Sequence, residues 1–205
     1  MKFINRKSLV ITCAVCLLPI FFGIALWNSL PETIAVHFNF NNEPDNFASK
    51  AFVVFGLPLL MAVLQAFCCI TSDINSHKHG EYKKFERATK WIIPGITIIL
   101  QAALLGYGLA WSVDIRRVAT LIVGVVMLVL GRYLPELDYI KNYDIDAEKA
   151  RKINRFAGKM SVIMGILILL TIALPPMFAV IWLFLLIPYT VVSVVYSIKV
   201  IKTEQ

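Results

Sequence analysis

WIIPGITIILQAALLGYGLAW, residues Trp91–Trp111, runs for 21 residues without an Asp, Glu, Lys or Arg. A hydrocarbon core of roughly 30 Å takes about 20 apolar residues of helix, and a backbone inside it must satisfy its own hydrogen bonds. The run therefore reads as a membrane-spanning helix. Five more apolar runs accompany it, at about Leu9–Leu30, Ala51–Thr71, Val118–Leu134, Phe156–Leu174 and Met177–Ile198. They are continuous in Leu, Ile, Val and Phe and lack the alternation of a membrane β-barrel strand. The whole chain of 205 residues, 59% hydrophobic and 16% charged with a mean hydropathy of +0.74, departs from soluble composition in the same direction. The expected fold is all-α and polytopic, a six-helix transmembrane bundle forming one membrane domain over residues 1–205.

Orientation follows from Lys and Arg counts in alternate loops. The amino terminus, the Asp73–Lys90 loop, the Arg132–Lys159 region and the tail hold seventeen, against three (Lys50, Arg116, Arg117) on the opposite side. Both termini are thus expected in the cytoplasm. The start MKFINRK resembles a secretory leader, but its apolar run exceeds a signal core of roughly 7–15 residues, so the first segment reads as a retained helix. The net charge of +7 segregates by loop, which insertion and anionic lipid explain without a nucleic-acid partner.

The helix centres carry no ionisable group; Asp73, Asp114, Arg132 and Lys159 fall at helix ends, where side chains can snorkel. Gln65, Gln101, Thr120, Thr171, Tyr107, Tyr189 and Thr190 read as interhelical hydrogen-bond partners. Neither HExxH, G-x-S-x-G nor a P-loop occurs, so no enzyme and no cofactor is expected. His77 and His79, without a nearby cysteine set, make no metal site. Cys13, Cys16, Cys68 and Cys69 lie in apolar helices and read as small packing residues.

Between the first two spans lies PETIAVHFNFNNEPDNFASK, residues 31–50, the long polar stretch on the expected outer face. A simple connection needs only a few turn residues. From Ile34 to Asn41 the chain alternates, with Ile34, Val36, Phe38 and Phe40 on one side and Ala35, His37, Asn39 and Asn41 on the other, as in an extended strand with one apolar face. Asn41-Asn42-Glu43-Pro44-Asp45 reads as a turn. Asp45, Asn46 or Ser49 is expected to cap the second helix, with Lys50 at its mouth. His37, Asp45 and Lys50 either tie the loop down or contact a ligand.

Leu30-Pro31, Ile34, His37-Phe38-Asn39, Pro44-Asp45 and Ser49-Lys50 resemble the amino-terminal pattern of the SdpI-like immunity proteins. In the second half, Tyr133-Leu134-Pro135 and Asn154-Arg155-Phe156-Ala157-Gly158 resemble the family too, whereas Arg132 and Ala150 stand where it has Asn and Trp. The resemblance implies a bacterial cytoplasmic-membrane protein, not an enzyme, that protects its producer against a secreted toxin peptide. It also implies a second partner, a small cytoplasmic repressor sequestered at the membrane. The ligand-contacting residues expected on residues 31–50 are His37, Asn39, Pro44, Asp45 and Lys50.

On the expected cytoplasmic side, residues 135–158 form a basic loop. Asp146 is expected as an N-cap with Glu148 in the first helical turn, followed by Lys149, Arg151, Lys152, Arg155 and Lys159. Lys149, Arg151, Lys152 and Arg155 are the expected contacts for an acidic cytoplasmic partner; anionic membrane lipid suits the same stripe. Lys83, Lys84, Arg87 and Lys90 leading to Trp91 read as an interfacial collar. Two other functions remain open from residues alone: a signalling receptor for an extracellular ligand without immunity, and a small-solute transporter.

Overall fold

A computed structural model describes residues 4–79, 83–137, 146–175, 178 and 181–202. Among these, six helical segments are long and apolar enough to cross a membrane: Arg6–Ala25, Phe52–His77, Lys84–Gly108, Ile115–Glu136, Ala147–Ala173 and Trp182–Lys202. The protein is an all-α multi-pass membrane protein, with one small β-hairpin among the described residues. Its helices are α1 (Arg6–Leu17), α2 (Pro19–Ala25), α3 (Leu57–His79), α4 (Lys83–Thr89), α5 (Ile92–Gly108), α6 (Ile115–Tyr133), α7 (Ala147–Leu170) and α8 (Trp182–Lys202). Asn5 starts α1, its Oδ1 accepting the Ser8 N–H at 3.1 Å, and Pro19, which has no N–H to donate, divides α1 from α2. Several boundaries differ from the apolar runs. The first span ends at Ala25, where a 3-10 turn at Trp27–Ser29 leads into the hairpin, and the fifth begins at Ala147 because its charged first turns are continuous with the apolar helix. Met177, at the start of the last apolar run, lies outside the described residues, as does the His79 side chain.

The chain packs as two compact units, Met1–His77 with Lys90–Ala119 and Lys78–Thr89 with Thr120–Gln205. In the first, Leu30, Ile34, Val53, Val54, Leu104 and Leu105 form the core. The backbone at Phe52–Gly56 is π-helical, with the Leu57 N–H on the Phe52 carbonyl. Continuing that i→i−5 pattern would put the N–H of residue 58 on Val53, but residue 58 is proline. Gln101 supplies the missing donor, its Nε2 reaching the Val53 carbonyl at 2.8 Å. Gln65 Nε2 likewise donates to Thr12 Oγ1 and the Lys90 carbonyl, both at 2.8 Å. The cysteines are free thiols, Cys16 and Cys69 fully buried.

Asp73 and Lys90 do not snorkel. Each is less than a tenth exposed, and they form an ion pair, with the Asn5 N–H donating to the second Asp73 oxygen at 3.0 Å. Lys90 is thus no part of a basic collar: the end of α3 and the residues before α5 bring opposite charges together where no water competes.

In the second unit, Met164, Ile168 and Trp182 form the core. α6 and α7 meet backbone to backbone: a Cβ on Gly131 would lie 2.7 Å from the Gly158 carbonyl oxygen, and one on Gly165 would lie 2.9 Å from that of Gly124. The indole of Trp182 donates to Thr120 Oγ1 at 3.0 Å, and Ser161 and Tyr189 share a 2.8 Å hydrogen bond. The rings of Phe156 and Tyr196 stack with centroids 3.9 Å apart.

Candidate functional site

Residues 31–50 form an antiparallel hairpin, β1 (Thr33–Phe38) and β2 (Pro44–Ser49). β1 is rich in β-branched and aromatic residues. Its partner PDNFAS has little strand propensity and was not foreseen as one; it pairs because the turn aligns it and because proline is tolerated at the first residue of a strand. The turn is Asn39–Glu43, earlier than the expected Asn41–Asp45. The Asn39 side-chain oxygen accepts the N–H groups of Asn41 (2.9 Å) and Glu43 (3.0 Å), and its N–H reaches the Glu43 carbonyl at 2.9 Å. Asn42 takes φ +65°, a left-handed conformation that asparagine accepts more readily than most residues.

Ile34, Val36 and Phe38 pack on the first core, as the alternation predicts. Phe40 does not join them: β1 ends at Phe38, Phe40 falls in the turn, and it is 74% exposed. The register shifts between Ala35 and His37 and again between His37 and Phe38, so the alternation does not persist to Asn41. Phe38 meets Tyr107 of α5 edge-on with centroids 4.8 Å apart. At the tip, Asn42 donates to the Val113 carbonyl (3.3 Å) and accepts the Ile115 N–H (2.8 Å), while Arg116 donates to the Phe40 carbonyl (3.1 Å). Arg116 also forks onto Asp114. Burial pushes the Asp114 carboxyl up, but the hydrogen bonds and charge of Arg116 and the N–H groups of Arg116 and Arg117 outweigh it and hold the group below its usual range.

At the base, Ser49 Oγ accepts the Phe52 N–H at 3.2 Å and so caps the second span, whereas Asp45 and Asn46 belong to β2. Lys50, expected among the ligand contacts, is buried. Its ammonium donates to the carbonyls of Trp27 (3.3 Å) and Leu30 (3.4 Å) and to Glu32 (3.0 Å), and sits 4.7 Å from the centroid of the Trp27 ring. The carbonyls gathered at the end of the first span call for a cation there, and Lys50 supplies it.

His37 and Asp45 are brought together on the exposed surface, with Nδ1 and Oδ1 2.5 Å apart and side chains 68% and 44% exposed. A carboxylate oxygen accepts, so Nδ1 is the donor in this pair. Asn39 is committed to the turn, its Nδ2 on Glu43 at 2.9 Å, and Pro44 sits half-buried opposite Phe38. Beside these, Phe47 is 54% exposed; sequence reasoning missed it for want of a second strand to place it on.

Of the expected cytoplasmic contacts, Arg151, Lys152 and Arg155 lie exposed on the first turns of α7, while Lys149 donates to the Ile201 carbonyl at 3.1 Å. Lys152 pairs with Glu148 at 3.0 Å. Asp146 occupies the N-cap position, yet its side chain accepts no helix N–H. Within 135–158, residues 138–145 lie outside the described residues.

A family model matches residues 14–62, and it is a domain of unknown function (DUF1648). The match begins in α1, contains the whole hairpin and ends in α3. No curated protein and no solved structure matches the chain.

Proposed function

We propose that the protein is a non-catalytic immunity protein of the bacterial cytoplasmic membrane, similar to the SdpI-like proteins, with both termini in the cytoplasm and the hairpin outside. It meets a secreted toxin peptide at the hairpin. The observation that carries this reading is the exposed His37–Asp45 pair on a hairpin held at both ends. A solvent-exposed pair of this kind contributes only about 0–1 kcal/mol to a fold, while a surface fixed before binding loses little conformational entropy on meeting a ligand. Lys50 and Asn39 act one layer beneath, positioning the surface.

The test is survival of toxin-sensitive bacteria expressing the chain, with His37→Ala and Asp45→Ala brought to equal membrane levels. The expected outcome is protection by the parent chain and its loss, by tenfold or more in tolerated toxin, in either variant. Protection unaffected by both moves the contact surface off the hairpin pair. Absence of protection by the parent against a panel of SdpC-like peptides rejects immunity.

A further inference from the structure

We infer that the toxin peptide binds as an added strand, pairing in extended conformation with the outer edge of β2. This deepens the reading of the hairpin as the toxin site and rests on it. The two edges of the sheet are unequal. β1 packs on the first core, with Ile34 and Ala35 almost fully buried, whereas Asp45, Asn46, Phe47 and Ser49 of β2 are exposed. In an antiparallel pair, residues that exchange ladder hydrogen bonds alternate with residues whose N–H and C=O point away from the partner strand. The Lys50 N–H donates to the Glu32 carbonyl at 2.8 Å, which fixes the phase of that alternation. Ala48, opposite Ile34, is then in the ladder, while Phe47 and Ser49, opposite Ala35 and Thr33, turn their N–H groups to the free edge.

Asn46 marks what that edge takes. Its side-chain Oδ1 accepts the Phe47 N–H at 2.8 Å, so an amide carbonyl from β2 itself stands where a carbonyl of an incoming strand would lie. Towards the tip the edge stops, because Asp45 has no cross-strand partner and Pro44 has no N–H. Strand addition draws affinity from main-chain hydrogen bonds. An incoming residue can give its N–H to the Phe47 carbonyl and its carbonyl to the Phe47 N–H, and a second carbonyl two residues along can accept from the Ser49 N–H. Charge selects the occupant. Residues 31–50 carry the carboxylates of Glu32, Glu43 and Asp45; their one lysine, Lys50, is buried, and Asp45 Oδ2 accepts from nothing among the described residues. A basic extended segment suits that edge, whereas a second copy of the chain would bring the same carboxylates against it.

The test compares the affinity of the parent chain, in nanodiscs, for a synthetic SdpC-like peptide it protects against and for versions of that peptide methylated at one backbone nitrogen at a time. The expected result is a loss of about fivefold or more, the scale of one hydrogen bond, at one nitrogen and none at the nitrogens on either side. This series needs no variant of the chain to fold. Asn46→Ala should bind more tightly than the parent, since the peptide carbonyl then has no competitor for the Phe47 N–H; weaker binding would overturn the role given to the Asn46 amide. Phe47→Pro, which lacks an N–H that the ladder does not use, should bind about fivefold more weakly than Phe47→Ala, both having lost the ring. Indifference to methylation at every nitrogen overturns strand addition, and with protection still lost in His37→Ala and Asp45→Ala it leaves immunity at the hairpin standing. No binding of any SdpC-like peptide by the parent overturns both together. A dimer of the parent in native mass spectrometry, absent in Phe47→Pro, would give the edge to a second copy instead.

Discussion

Lys50 carries the largest single electrostatic demand in the hairpin, because its ammonium is buried while its carboxylate partner is not: the Glu32 side chain is 90% exposed. The two ends of this ion pair are therefore unequal. Lys50→Met should destabilise the protein by about 1–3 kcal/mol, since the Trp27 and Leu30 carbonyls lose a charged donor, whereas Glu32→Gln should cost under about 1 kcal/mol. Thermal unfolding in detergent compares the two. Asp114 gives a pH signature. Its carboxyl is held below its ordinary value of 3.8, so the folded state favours the ionised form. That stability is fully present above the unfolded-state value and is lost as pH falls through the lower, folded one. Asp114→Asn should therefore be less stable than the parent at neutral pH, with the difference closing once the medium is more acid than pH ~4; a pH series of unfolding midpoints checks this. His37 and Asp45 stand out in the sequence as polar residues of a segment too long for a linker, but their pairing does not. Nor does the burial of Lys50, because it depends on where the first span ends.

At the scale of elements, the six spans were readable from apolar length alone, since lipid leaves helix as the one way to satisfy their backbone. β2 was not: PDNFAS acquires its conformation from the Asn39-centred turn and from β1, a tertiary effect that propensity cannot express. The Asp73–Lys90 pair was hidden for a related reason, as seventeen residues of separation bring two charges together only once α3 and the start of α5 are placed. The α6–α7 contact shows how strictly an element pair can be specified. A Cβ at Gly158 would fall 2.7 Å from Pro135 Cδ and 2.8 Å from the Gly131 carbonyl oxygen, while one at Gly95 would meet nothing within 4 Å. Gly158→Ala should accordingly cost about 1–3 kcal/mol by forcing the helices apart, and Gly95→Ala should be neutral or stabilising by up to ~1 kcal/mol. Unfolding of the two variants side by side separates packing from helix propensity. Pro135, Gly158 and Asn154, three of the residues that carry the resemblance in the second half, are thereby accounted for as packing: Asn154 Nδ2 donates to the Leu137 carbonyl in the same neighbourhood.

For the molecule as a whole, the charge asymmetry makes a prediction about sidedness. Phe47→Cys should react with a membrane-impermeant maleimide in intact cells and Arg151→Cys only after permeabilisation, with the parent chain, whose thiols lie in apolar helices, as the background. The opposite labelling pattern would invert the assigned topology. The hairpin's anchoring has a further meaning for how such a protein changes over generations. Its hold on the rest of the chain runs through Ile34, Phe38, Asn42, Lys50 and the Phe40 carbonyl, so the side chains of Phe40, Asn46 and Phe47 contribute little to keeping it in place. On the proposed reading, mutations at those three positions would be screened by selection for what they touch rather than for whether the chain folds, which would let a lineage alter its recognition of a toxin one residue at a time.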